Sequence, residues 1–409
     1  MDARQDERHR ARAFRLGDVT TPEAPSAPPP RGGATGGPAG PDPRWLLGGA
    51  SRRAERPSLV VAGLPPRARL PLLALGFAAL VVGATAGLVR LGVPMPSFSA
   101  AVAGAHGPLM VCGFFGTVIA LERAVAVGRG WAYLGPLFAA AGVVALLAGA
   151  ALAPWLFVAS SLALLAATLD VLRRQTALFT FTLAVGAAAL ALGNAAWAAG
   201  RPVVEALPWW LAFLVLTIAG ERLELSRFLP PSPRARHVFA VLLVVVVAGA
   251  LAAPWSERGF GLGLLGLAAW LLKQDIARRT VRGKGLTRFI AVCLLAGYGW
   301  LALGGALLAL GAAPGSWAHD AALHSITLGF VFSMVFGHAP IILPAVTRFA
   351  LPYHPVFYAP LALLQASVAV RVAGAAAGFD VLRAGAVLNA LALAAFLLNT
   401  VAAVLRGRR

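Results

Sequence analysis

His319–Arg348 reads HDAALHSITLGFVFSMVFGHAPIILPAVTR. The stretch is apolar enough to cross a bilayer, yet it holds His319, His324 and His338, three of the seven histidines in the chain. An ionisable side chain within a membrane span is costly, so such residues are expected to face the bundle interior and to serve a function. His324 and His338 are fourteen residues apart. At about 100° per residue they share one helix face, roughly 21 Å apart along the axis. Pro340 and Pro344 are expected to bend or end the helix, and Arg348 to mark the water interface.

Working outward, composition sets the class. A soluble chain has about 45–50% apolar and 25% charged residues; this one has 59% and 12%. The expected fold is an all-α integral membrane protein, a twelve-helix bundle. Its spans lie near 69–91, 100–124, 131–152, 154–173, 176–199, 205–225, 237–254, 259–280, 287–311, 319–346, 356–376 and 382–405. Residues 67–409 form this transmembrane domain. Residues 1–66, rich in Pro, Gly and Arg, form a tail that cannot bury a core and is expected to be disordered and cytoplasmic, with His9 solvated. The tail has no apolar signal core, so no cleaved targeting segment is expected.

The net charge of +19 is not read as a nucleic-acid signal. Basic residues cluster after spans two, four, six, eight and twelve, as in Arg222, Arg234 and Arg236 or Lys273, Arg278 and Arg279. By the positive-inside rule both termini are cytoplasmic, in a bacterial-type plasma membrane, and the partner is the lipid bilayer. Cys112 and Cys293 lie in apolar spans and read as small core residues.

The same orientation gives the histidines a depth. His106 on span two and His324 on span ten lie at similar depth below the outer surface, His319 lies at the outer rim, and His338 lies toward the cytoplasm. His237 and His354 are interfacial. Spans two and six both end in I-A-x-E-R, at Ile119–Arg123 and Ile218–Arg222, which suggests three four-helix groups related by repetition. Glu122-Arg123 and Glu221-Arg222 read either as polar helix ends that snorkel to the interface or, with His338, as a polar proton path if the glutamates face inward. Trp131, Trp209, Trp210 and Trp317 read as interfacial anchors, and Asp170 as a local ion pair with Arg173 and Arg174.

His106 stands among Gly104, Gly107 and Gly113, small residues that let a helix or a flat cofactor come close. Two imidazoles at one depth on different helices can ligate a metal or the iron of a haem; the alternative is a pair of hydrogen-bonded core histidines. His106, His324 and His319 are the candidate metal ligands.

The segments AHGPLMVCGFFGTVIALERAV and LHSITLGFVFSMVFGHAPIILPAVTR, within twelve spans, resemble subunit I of the haem–copper oxidases and, more closely, the NnrS-type haem- and copper-containing membrane proteins. The resemblance implies a low-spin haem held by His106 and His324, with a redox, respiratory or nitrogen-oxide-response role. The copper-site histidines of spans six and seven have no counterpart, since span six has none and span seven has only His237 at the wrong end. The Gly-His-Thr-Gly-Arg string of the NnrS-type proteins after span ten is also missing. Copper and an oxygen or nitric oxide reductase activity are therefore not expected, and a redox partner is left unassigned. A secondary transporter, or a structural or assembly protein with vestigial histidines, fits the same spans.

The charge asymmetry makes one direct forecast. Reporter fusions at Gly128 and Gly315 should report opposite sides of the membrane; the same side for both would refute the topology.

Overall fold

Hydrocarbon offers no hydrogen bonds to a backbone, so a chain this apolar satisfies its amides within helices. The computed structural model describes residues 63–225 and 232–407, all within the unit Leu59–Arg409, and its regular structure there is helical. Nearly all of the expected tail lies outside the described residues, as do Arg408 and Arg409. Eleven described helices are long and apolar enough to cross a membrane: α1 (Pro66–Val89), α2 (Ala103–Val127), α3 (Gly130–Leu147), α4 (Ala153–Arg174), α5 (Leu178–Ala198), α6 (Val203–Leu225), α7 (Pro233–Ala252), α9 (Gly285–Ala309), α10 (Trp317–Thr347), α11 (Pro355–Ala377) and α12 (Phe379–Arg406). This is the architecture of a multi-pass membrane protein. Between α7 and α9 runs α8 (Arg258–Gln274), 17 residues long, followed by the short helix Ala277–Thr280.

Local chemistry sets the helix ends. Proline opens α1 and α7, where its missing N–H is no loss. Ser232 and Ser316 cap α7 and α10 by accepting from Ala235 N and His319 N. Gly128 ends α2 in the left-handed conformation at φ 68°. Arg348 ends α10 in the same conformation at φ 64°, where a non-glycine residue is uncommon. Pro340 and Pro344 therefore do not end this helix; it runs on to Thr347.

Two helices depart from α geometry. In α2 the backbone is π-helical over Leu109–Phe115, and in α10 over Ser325–Phe332. Such segments are rare and concentrate at functional sites. The one in α10 falls between His324 and His338, so an ideal-helix count does not describe their phase, and the two face different cavities.

The core is centred on α6, apolar and buried on all sides from Trp210 to Leu216. At the periphery Val241, Val244, Leu251 and Leu398 are exposed, a surface suited to lipid. Glycines bring α7, α8 and α9 into backbone contact. A Cβ on Gly249 would stand 2.4 Å from Phe260 N, and one on Gly261 would stand 2.4 Å from Ala309 N.

Backbone cannot yield as a flexible side chain can. Gly261→Ala should lower thermal stability in detergent by about 1–3 kcal/mol, the range for overpacking. Gly299→Ala, on α9 with nothing within 4 Å of the added methyl, should leave it unchanged.

Candidate functional site

His106 begins the first α-turn of α2, and His324 is the last α-helical residue of α10 before the π segment. Their ring centroids lie 6.4 Å apart, with the planes 22° from parallel. His106 Nδ1 lies 2.7 Å from the Gly83 carbonyl oxygen, and His324 Nδ1 lies 2.8 Å from that of Asp320. A carbonyl can only accept, so each Nδ1 carries the proton and each Nε2 keeps its lone pair. Among the described residues neither Nε2 has a hydrogen-bond partner.

Both rings line a cavity of about 590 Å³ between α1, α2, α6, α10, α11 and α12. Its walls include Met110, Trp210 and Phe332, with Arg90 and Arg371 as cations. Glycine shapes it. A Cβ at Gly87 would stand 2.8 Å from His106 Nδ1, so only glycine leaves room for the ring, whereas Gly104 borders open space. Gly113 serves helix packing instead, against Ala79.

His319 lines the same cavity, but its Nε2 lies 3.0 Å from Glu257 Oε2. Among the described residues no group of three or more His, Cys, Asp or Glu side chains is placed to hold a metal ion.

A second cavity, of about 110 Å³, is lined by Glu122, Glu221 and His338. The two glutamates of the repeated I-A-x-E-R strings therefore face inward, into one space. Phe115 and Leu214 border both cavities. Phe332 of the first stacks on Phe114 of the second at 5.9 Å, so an aromatic layer divides them. Beside the second cavity Arg222 makes a bidentate pair with Asp275, at 2.8 and 3.2 Å. Tyr298 Oη donates to the same carboxylate at 2.6 Å, and Arg222 Nη1 lies 3.4 Å from His338 Nε2.

Several expectations need correction. Arg222 does not snorkel; it is buried and paired across helices. Trp210 is no interfacial anchor, being wholly buried with its N–H donated to Asn194 Oδ1, while Trp131 and Trp317 are exposed. Asp170 pairs with Arg174 and Arg129 rather than Arg173. The two histidines read as interfacial need no correction: His237 and His354 are both exposed, and His354 accepts from Val356 N at the short turn Pro355–Phe357.

Sequence reading missed Gly83, Gly87, Asp275, Asp320 and Arg371 as parts of these sites. Gly83 and Gly87 stand in a small-xxx-small string, and Arg371 is a cation inside an apolar span, so both signals were present.

Removing one partner of a buried pair leaves the other uncompensated. Asp275→Asn should cost about 3–5 kcal/mol of stability, measured by thermal unfolding in detergent, and the double replacement Arg222→Leu/Asp275→Leu should cost less than the single.

No curated protein matches the sequence. The family described as Domain of unknown function (DUF8744) matches residues 69–405. That range takes in every residue that lines the two cavities, and the chain belongs to this family.

Proposed function

We propose that the first cavity holds a low-spin haem between His106 and His324, and that the protein has a redox role in the membrane. The observation that carries this reading is the ring separation. Two metal–imidazole bonds of about 2.0 Å, with about 1.2 Å from each nitrogen to its ring centre, span about 6.4 Å. The centroid distance is 6.4 Å, which equals that span when both Nε2 atoms point along the line between the rings. A ligating histidine usually donates its other ring N–H to a carbonyl or carboxylate, and Nδ1–H donation to a carbonyl leaves Nε2 free to bind. The cavity volume falls within the range of about 300–1,000 Å³ typical of cofactor sites.

His106 and His324 would hold the haem, which would supply electron transfer rather than the binding of oxygen or nitric oxide. The chain's own part is to hold two imidazoles nearly parallel and to wall the site with apolar side chains. Arg90 supplies positive charge for an anionic ligand edge.

We further read the chain as a twelve-span relative of oxidase subunit I without the copper centre, its termini cytoplasmic in a bacterial-type plasma membrane. Support for a twelfth span comes from α8. Glu257 before its first residue pairs with His319 at the start of α10, and Asp275 after its last pairs with Arg222 near the end of α6. Glu122, Glu221 and His338 are read as a polar path for protons, supported by their common cavity.

The protein purified from haem-replete cells should show a low-spin haem spectrum, and His106→Ala or His324→Ala should abolish it. A colourless wild type, or an unchanged spectrum in either variant, would overturn the reading.

A further inference from the structure

The two histidines are not equivalent. His106 Nδ1 has one acceptor, the Gly83 carbonyl. His324 Nδ1 also has one, the Asp320 carbonyl at 2.8 Å, but in addition it lies 3.2 Å from the Asp320 carboxylate Oδ1. That carboxylate is gripped from another helix. Arg371 Nε and Nη2 donate to its two oxygens at 2.9 and 2.8 Å, the planar fork that matches a carboxylate. Arg371 is itself buried, and its backbone is fixed against α12, where a Cβ on Gly385 would stand 2.4 Å from Arg371 N.

We propose that Asp320, clamped by Arg371, is a positioning residue that makes His324 the more electron-donating of the two imidazoles; this rests on the two-histidine haem reading. An anion beside an imidazole N–H draws its proton and enriches Nε2 in electrons, which raises the ligand's donor strength. A stronger donor favours the oxidised over the reduced metal. Arg371 opposes this by offsetting the carboxylate's charge, so the pair sets the donor strength between two limits. A role that merely held the helix in place would not give opposite effects from the two partners.

The test uses the full-length protein in detergent, titrated with haemin, and reads its affinity and its midpoint potential. Asp320→Asn should bind haemin about 10–100-fold more weakly, the usual cost of losing a group that orients a ligating histidine. It should also shift the midpoint positive, and Asp320→Glu should restore it toward the wild-type value. Arg371→Gln, which leaves the carboxylate unopposed, should shift the midpoint negative. An unchanged midpoint in Asp320→Asn with the low-spin spectrum kept, or shifts of the same sign in both variants, overturns the proposal. If Asp320→Asn does not accumulate, Arg371→Gln decides, and a midpoint at or above wild type overturns it. A wild type that takes up no haemin sinks the haem reading and this role with it, whereas a loaded wild type with an unresponsive Asp320→Asn removes the role alone.

Discussion

A charge inside an apolar bundle must find a partner, and in this protein most of those partners converge on α10. Burying an unpaired ion costs several kcal/mol even after relaxation. His319 meets Glu257 before α8, Asp320 meets Arg371 of α11, and His338 meets Arg222 of α6. Near its end Val346 O accepts from Arg69 of α1 at 3.0 Å. Polar contacts thus tie α10 along its length to four neighbours. Apolar packing alone is non-directional. These contacts have geometry, and they fix which face of α10 turns inward.

That fixed orientation is what lets the helix carry a site. His324 is set by a hydrogen bond to the Asp320 carbonyl within its own helix, and the Asp320 carboxylate is set from α11. The π segment that follows carries side-chain bonds of its own: Thr327 Oγ1 donates to Leu323 O at its start, and Ser333 Oγ donates to Gly329 O at its end. Across the cavity α2 repeats the plan, a histidine followed within three residues by a π segment. The two helices present their rings at one level, and the aromatic layer of Phe114, Phe115 and Phe332 separates that level from the glutamates beyond.

Much of this was legible in the sequence because hydropathy and histidine placement record depth. The start of α10 falls two residues before the expected 319, and α6 ends at the expected 225. The pairing of His106 with His324 followed from matched depth on two spans. The inward turn of Glu122 and Glu221 was not legible, because a residue near a helix end can snorkel or point inward with the same local sequence. Trp210 was misread for a related reason: a tryptophan near the start of a span looks like an anchor until a buried Asn194 is seen to accept its N–H. The π segments left no mark, since a shift in backbone hydrogen-bond register does not alter an apolar run. The Asp320–Arg371 pair joins residues 51 positions apart, a contact that only packing reveals.

The central claim is that His106 and His324 ligate one haem through their free Nε2 atoms. Low-temperature electron paramagnetic resonance of the purified, oxidised protein tests it most directly, together with a haem-to-chain ratio. The account expects one haem per chain with a low-spin signal from two nearly parallel imidazoles. A high-spin signal, or protein from haem-replete cells that carries no haem, would contradict it.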